Sequence, residues 1–386
     1  MKYKLAIDMR YVENPNSGLS RFAINIFYNL IKNLDNDEII FIILMPPKKI
    51  VDDLDLLKKF NFERIKIIYS KHKRGIKWKI PFFFIDLPLY FKLRKEKIDI
   101  FLSPYIDPPF LPGIKVICTI HDLIFIRVDK YFNNFRLIKK FLSEFRIILS
   151  LFYSSYILTV SKTTKNILIN RFQFIPFLQE KLLKTLVIYN GITEFKSSYK
   201  SDKNKYQNIN KEYFLYVGDR RNHKNLLYTI KLLKTYKELY KKEILLVIAG
   251  SNSYKNNTLQ NFIQSNNFVI EIINPSDSYL DFLYKNCVSL ILLSLDEGFG
   301  IPIIEAASRS KKIIVSDITI FREIAPKNSL FLDLRKENQN VKLLHDYLVK
   351  EIYFDSQSIF ERWSWDKSSL KLKNFLLSQL LHNYKN

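Results

Sequence analysis

The chain has 386 residues, 47% of them hydrophobic and 26% charged, and its formal net charge is +23. This length predicts two domains of ordinary size, and two cysteines are too few for a disulfide framework or a zinc site. No run reaches the roughly 20 apolar residues that span a bilayer. Cys118 and Cys287 lie in apolar runs, so we expect them to be buried and reduced, as suits a cytoplasmic protein. The first eight residues lack the apolar core of a signal peptide.

The first half of the chain alternates apolar runs of strand length with helical spacing. Phe22, Ile26, Leu30 and Leu34 recur every four residues, which predicts a helix over 20–34 with Ser20 as its N-cap. The predicted strands are 4–8, 38–45, 64–69, 99–103, 115–120, 156–160 and 185–189. This alternation indicates βαβ units and a parallel sheet.

A polar segment rich in Lys, Ser and Asn, 194–210, predicts a linker to a second α/β set. The predicted strands of that set are 213–217, 244–249, 268–272, 289–293 and 312–315, and its predicted helices are 225–240, 256–265, 278–287 and 302–309. A final helix is predicted from Trp363 to about Tyr384, with Ser364 or Asp366 as its cap.

The most informative segment is 294–306, which follows a buried strand. Glu297 and Glu305 stand eight positions apart and enclose the turn Gly298-Phe299-Gly300. A glycine turn lets a ligand approach the backbone, and Pro302 marks the first turn of a helix. Glu305 is expected about one turn inside that helix and Glu297 in the loop before it. The alternative is that both carboxylates are solvated surface groups.

A second segment has the composition of a phosphate site. Gly218 follows a strand, and the cations Arg220, Arg221 and Lys224 stand just before a helix. Backbone N–H groups and positive side chains at a helix start suit a diphosphate. The alternative is a solvated basic turn.

Polar residues also follow strands of the first half. His121 and Asp122 come directly after the strand 115–120, at the edge where α/β enzymes place site residues. Gly18 and Arg21 lie in and after the loop that follows the first strand. The alternatives are a packed histidine with a capping Asp122, and a simple turn at Gly18.

Together these segments resemble retaining glycosyltransferases of family 4, and the resemblance covers roughly residues 3–380. It implies an α/β protein of the GT-B fold, in which two Rossmann-like domains with parallel sheets face each other across a cleft. It places an N-terminal domain at 1–195, a linker at 196–211, a C-terminal nucleotide-sugar domain at 212–362, and a final helix, 363–386, that packs back on the first domain.

The resemblance also implies a role for each candidate residue. Glu297 and the N–H groups of residues 298–300 would hold the hydroxyls of the donor sugar, Glu305 would accept hydrogen bonds from the ribose, and His121 would contact the sugar. The remaining donor-binding candidates are Gly18, Gly218, Arg220, Arg221, Lys224, Gly298, Phe299 and Gly300, and further candidates are Asp122, Ser161 as a helix cap and Asn190 in a turn. Asp219 stands where the family often has Arg, which leaves open which arginine holds the diphosphate.

The implied activity is the metal-independent transfer of a hexose from a GDP- or UDP-linked sugar, with no further cofactor. Mannose is the first candidate for the hexose. The acceptor would be a glycan or a polyprenyl- or lipid-linked glycan of lipopolysaccharide type, reached at the inner face of the cytoplasmic membrane. Residues 58–97 carry thirteen Lys or Arg against three acids, interleaved with aromatic residues, which suits peripheral contact with that membrane or a solvated face. Two alternatives remain: another GT-B enzyme such as a sugar-nucleotide epimerase, and a non-catalytic protein that binds nucleic acid or membranes.

Overall fold

A computed structural model describes residues 3–12, 17–34, 39–53, 64–70, 82–128, 136–193, 209–252 and 257–381. The described residues form two compact units. The first takes those within Met1–Leu123, Leu137–Asn190 and Ser364–Asn386, and the second those within Ile124–Arg136 and Gly191–Trp363. Most of the predicted linker, 196–211, and much of the basic stretch 58–97 lie outside the described residues.

The first unit is built on a parallel sheet of seven strands in the order β3-β2-β1-β4-β5-β6-β7. The strands are β1 (Tyr3–Asp8), β2 (Ile39–Met45), β3 (Ile65–Tyr69), β4 (Ile100–Ser103), β5 (Lys115–Ile120), β6 (Tyr156–Thr159) and β7 (Leu186–Val187). Its helices are α1 (Gly18–Asn33), α2 (Lys48–Asp53), α3 (Phe82–Lys95), α5 (Arg136–Tyr153), α6 (Lys162–Phe172), α7 (Gln179–Leu183) and α15 (Trp365–Leu381). Ala6, Ile42, Phe101 and Val116 pack together from four neighbouring strands, with Leu93 of α3 against them.

The second unit is built on a parallel sheet of six strands in the order β10-β9-β8-β11-β12-β13. The strands are β8 (Tyr213–Val217), β9 (Leu245–Gly250), β10 (Val269–Ile273), β11 (Ser289–Leu292), β12 (Lys312–Ser316) and β13 (Leu330–Leu332). Its helices are α4 (Ile124–Arg127), α8 (Leu226–Tyr240), α9 (Asn257–Gln264), α10 (Asp277–Asn286), α11 (Ile301–Ala307), α12 (Thr319–Ile324), α13 (Glu337–Val349) and α14 (Ser356–Arg362). The prediction of two α/β sets with parallel sheets is therefore confirmed.

The last helix, α15, packs on the first unit, as the family resemblance implied. Asn33 of α1 donates hydrogen bonds to Asp366 and Ser369, both at 2.8 Å. The Nζ atom of Lys373 returns a bond of 2.6 Å to the carbonyl of Asn33. Because the hydroxyl of Ser364 accepts the N–H of Lys367, Ser364 caps this helix.

Two local features differ from the sequence-based expectation. Ser17, and not Ser20, caps α1: its hydroxyl accepts the N–H of Ser20 at 3.2 Å, so the helix begins two residues earlier. The described residues within 124–136, expected in the first domain, group with the second unit, where Arg127 pairs with Asp296 at 3.3 Å. Among the described helices, none combines the length and apolar character needed to cross a bilayer. Both cysteines are buried and free, as expected.

Candidate functional site in the second unit

The order of strands brings the two informative loops of the second unit together. β8 and β11 are neighbours in the sheet although they are far apart in sequence, and the strand order reverses between them. Loops at the carboxyl ends of strands on either side of such a reversal form the usual ligand site of open α/β sheets. Here the N–H of Leu295, after β11, donates to the carbonyl of His223, after β8, at 2.7 Å.

An ion pair joins the same loops. The Nζ atom of Lys224 lies 2.5 Å from Oε1 of Glu297, and the hydroxyl of Ser294 donates to that oxygen at 2.9 Å. Burial alone would raise the pKa of Glu297, but the charge of Lys224 and the hydrogen bonds from Lys224 and Ser294 outweigh burial and lower it. Glu297 is therefore an ionised carboxylate at neutral pH, with a cation held against it.

Two glycines allow the loops after β8 and β9 to approach each other closely beside this site. Gly250, at the end of β9, has a φ of 139°, and a Cβ atom placed on it would lie 2.4 Å from the carbonyl oxygen of Gly218. The N–H of Gly218 donates to the carbonyl of Ala249 at 2.9 Å. Only glycine permits this close approach of two chains, so Gly218 and Gly250 together bring the loops after β8 and β9 into contact.

The two arginines of the basic loop, both predicted as candidates for holding the diphosphate, have different surroundings. Arg220 is 2% exposed; its guanidinium donates to Glu271 at 3.1 and 3.2 Å and to the carbonyl of Ser251 at 2.8 Å. Its side chain therefore supports the loop from inside. Arg221 has a 42% exposed side chain and donates to Asp219 at 2.7 Å. Arg221 and Lys224 are thus the cations of this loop with access to solvent.

Glu305 is the fifth residue of α11, one turn inside the helix as predicted, and is 1% exposed. The hydroxyl of Tyr284 donates to its Oε2 at 2.8 Å. Arg309 stacks over the Tyr284 ring, with its guanidinium carbon 5.4 Å from the ring centre, and pairs with Asp281 at 2.6 Å. Tyr284 and Arg309 were not foreseen, because their partners come from α10 and α11, which no local pattern relates.

The glycine turn before α11 is also built from buried groups. Gly300 has a φ of 108° and precedes the first residue of the helix. Phe299 is 4% exposed, and its ring meets the Trp363 ring edge-on at 5.6 Å. The Phe299 side chain therefore anchors the turn, while the turn's backbone remains the group predicted to face the donor. Gly298 lies in the same turn, directly after Glu297.

The candidates of the first unit lie after its strands, as predicted. His121 follows β5, and its Nε2 donates to the carbonyl of Pro104, after β4, at 2.7 Å. Burial lowers the pKa of His121 to about 4, so the ring is neutral at pH 7. The rings of His121 and Phe22 are nearly perpendicular, with their centres 4.8 Å apart. Asp122 is half-buried beside it.

Three further candidates of that unit have structural placements. Ser161 caps α6, accepting the N–H of Thr164 at 3.0 Å, so its predicted capping role is confirmed. Gly18 is the exposed first residue of α1. Asn190 follows β7 and is 3% exposed. The roles of these residues toward a donor stay predictions.

Parts of this chain are similar to known glycosyltransferases. Residues 198–348 match the family model described as glycosyl transferases group 1. The chain is 29% identical over 262 residues to the O-antigen chain mannosyltransferase RfbU of Salmonella typhimurium, with 67% of each chain covered. It is 30% identical over 142 residues to the serotype-specific mannosyltransferase WbdA of Escherichia coli, which covers 35% of this chain but only 17% of WbdA.

The fold has a clear counterpart among solved structures. The sucrose-phosphate synthase of Thermosynechococcus elongatus superposes with a TM-score of 0.69 at 13% identity and covers 99% of this chain and 100% of its own. At this identity the likeness concerns the fold alone. Together, the relatives and the two parallel sheets indicate a glycosyltransferase of the GT-B fold, in which residues 198–348 match the glycosyl transferases group 1 model.

Proposed function

We propose that the protein is a retaining mannosyltransferase that uses a nucleotide-diphosphate sugar in the synthesis of a bacterial surface polysaccharide. GDP-mannose is the first candidate for the donor. The names of RfbU and WbdA support mannose as the sugar, and that of RfbU supports an O-antigen type of product. The acceptor would be a glycan, carried on a polyprenyl or other lipid.

The observation that carries the proposal is the Lys224–Glu297 pair at the reversal of strand order between β8 and β11. A nucleotide-diphosphate sugar presents two different groups to such a site. Its diphosphate calls for a cation, and its sugar hydroxyls call for a hydrogen-bond acceptor. Lys224 and Glu297 offer one of each, on two loops that hydrogen bonds hold together.

In the proposed reaction the sugar–phosphate bond breaks with positive charge on the sugar and negative charge on the departing diphosphate. Lys224, with Arg221 three residues before it in the same loop, would stabilise the diphosphate charge without a metal ion, and fixed charges of this kind are usually the largest catalytic term. Glu297 would hold a sugar hydroxyl. Donor binding must therefore replace or share the 2.5 Å contact between Lys224 and Glu297.

Glu305 and His121 would position the donor in this proposal. Glu305 would accept hydrogen bonds from the ribose, with Tyr284 fixing the orientation of its carboxylate. His121, neutral at pH 7 and held by the carbonyl of Pro104, would offer a hydrogen bond to the sugar and no positive charge.

The test has two parts. Thermal melting with GDP, UDP and ADP identifies the base, because a ligand that binds only the folded protein raises its apparent stability. Incubation of GDP-mannose, labelled in the sugar, with a membrane fraction then measures transfer, and NMR of the product gives its anomeric configuration. Glu305→Ala and Lys224→Ala should each reduce turnover by about a hundredfold or more, the size of losing one fixed stabilising group.

Three outcomes would contradict the proposal in different ways. A melting temperature that rises with DNA and with none of the nucleotides would reject the proposal that the donor is a nucleotide sugar. Transfer from UDP-sugars alone would reject GDP-mannose as the donor. Inversion at the anomeric carbon would reject a retaining mechanism.

A further inference from the structure

Helix α5 carries a continuous apolar face. At 100° per residue, eight large apolar side chains fall within about 140° of its circumference. They are Leu137, Ile138, Phe141, Leu142, Phe145, Ile148, Leu149 and Phe152. We call this set the α5 face.

The α5 face points to solvent. Six of its eight side chains are between 49% and 79% exposed, whereas Ile147, Ser150 and Leu151, on the opposite side, are buried. A surface helix usually turns its apolar stripe to the core. Here the helix buries a narrower and partly polar side and presents the wider apolar one.

A neighbouring segment extends the exposed apolar surface. The ring of Phe177 meets the Phe152 ring edge-on, with centres 5.8 Å apart. Phe174, Phe177 and Leu183 are each more than 60% exposed. Exposed apolar surfaces of this extent usually mark a contact with a partner or a membrane.

Positive charge accompanies this surface. Residues 136–184 contain nine Lys or Arg and two Glu. Both acids are paired within the region: Glu144 of α5 with Arg171, and Glu180 with Lys184. Lys181 donates to the carbonyl of Leu151, at the end of α5. The chain segment that forms this apolar surface therefore carries an excess of positive charge.

We propose that the α5 face lies in the headgroup region of a bilayer that contains anionic lipid. The apolar rings would enter the boundary between headgroups and acyl chains, and the surrounding cations would meet lipid phosphates. A second copy of the chain is a poorer occupant, because a symmetric contact would bring two regions of the same positive sign together. The inference rests on the proposed function and deepens it, since a lipid-linked acceptor lies at such a surface. The residues of the α5 face lie outside the stretch 58–97 in sequence.

The test is flotation of the purified chain with vesicles. One set is neutral phosphatidylcholine, and the other adds phosphatidylglycerol. We expect binding to the anionic vesicles that weakens with salt. Phe141→Ser with Phe145→Ser should weaken it about tenfold or more, because two large apolar groups are removed from the buried area.

The matched control is Leu239→Ser with Val349→Ser. These residues of the second unit are 63% and 67% exposed, so their loss should leave vesicle binding unchanged. Thermal melting of both double variants checks that each is folded, and the melting shift with GDP reports the nucleotide site separately.

The outcomes separate the two proposals. Equal vesicle binding by both double variants, or none by the wild type, would overturn the membrane surface even if the GDP shift persists. A wild-type dimer by light scattering that Phe141→Ser dissociates, without vesicle binding, would assign the surface to a second copy. Vesicle binding without a melting shift by GDP, UDP or ADP would retain the surface and reject the nucleotide donor.

Discussion

Removing the charge of Lys224 tests the site most directly. Its Nζ atom lies 2.5 Å from Glu297, and the two side chains are only 16% and 10% exposed. Lys224→Met keeps the length of the side chain and removes its charge. Glu297 then keeps the hydrogen bond from Ser294 but loses the cation that offsets its burial.

The expected loss of stability follows from that burial. Breaking a buried ion pair by removing one partner costs about 3–5 kcal/mol, because the other charge stays uncompensated. Water reaches a small part of this pair and Ser294 remains, so we expect about 2–3 kcal/mol at pH 7. Glu297→Gln in the same chain removes the stranded charge, and the double-mutant cycle should give a coupling of about 2 kcal/mol.

The pH dependence has a defined sign. The pKa of Glu297 in the folded wild type lies below its usual value, so its stabilising contribution is present above the usual pKa and is lost as the pH falls through the lower, folded one. In Lys224→Met the burial is no longer offset, so the pKa of Glu297 rises above that of the wild type. The stability difference between the two proteins should therefore shrink as the pH falls below 5.

Urea unfolding at pH 7 and pH 4 measures both effects. The control is Lys211→Met, which removes the Lys211–Glu243 pair, whose side chains are 56% and 81% exposed; such surface pairs contribute less than about 1 kcal/mol. A coupling between Lys224 and Glu297 no larger than that of this surface pair would refute the reasoning. In parallel, Lys224→Met should abolish the melting shift with the donor nucleotide, while Lys211→Met should leave it intact.

Three further predictions concern single positions. Gly250→Ala should destabilise the second unit by more than about 2 kcal/mol, because its Cβ would lie 2.4 Å from the carbonyl oxygen of Gly218 at a φ of 139°; an unchanged melting temperature would contradict this. Tyr284→Phe removes the hydroxyl that donates to Glu305 and should lower the free energy of unfolding in urea by about 1–2 kcal/mol. It should also raise the KM for the donor more than it lowers kcat. A variant that matches the wild type in both measurements would reject the positioning role of Tyr284. Burial lowers the pKa of His223 to about 4 from 6.5, so the free energy of unfolding should be highest above pH 6.5 and should fall by about 1.4 kcal/mol per pH unit toward pH 4, as the unfolded chain binds the proton more readily. Urea unfolding across this range should depend less on pH in His223→Asn. Identical pH dependence in the variant and the wild type would contradict this explanation.

The sequence predicted the parallel α/β architecture and the position of both loops of the second-unit site. Short apolar runs separated by helical spacing indicate buried parallel strands, and glycines after such runs mark the loops at their carboxyl ends. β8 and β11 were placed within one residue of their observed bounds. Between β12 and the predicted last helix no element was predicted; α12 and β13, for example, span only six and three residues and carry too little periodicity.

Which partner a charged side chain takes could not be predicted. Arg220 and Arg221 are neighbours in one basic loop, yet Arg220 reaches Glu271, 51 residues away, while Arg221 bonds the adjacent Asp219. Loop composition gives the number of cations. The packing of β10 beside β9 decides which of them is enclosed.

The sequence determined the local features of the chain. Apolar spacing, glycine turns and a capping serine such as Ser161 depend on residues only a few positions apart. Tertiary structure alone decided the rest, because the deciding partners lie far away in the chain. Tyr284 meets Glu305 only where α10 and α11 pack, and spacing alone could not show that α5 turns its wider apolar face outward. Periodicity reveals that a helix has two faces, but the neighbours that cover one of them choose which is buried.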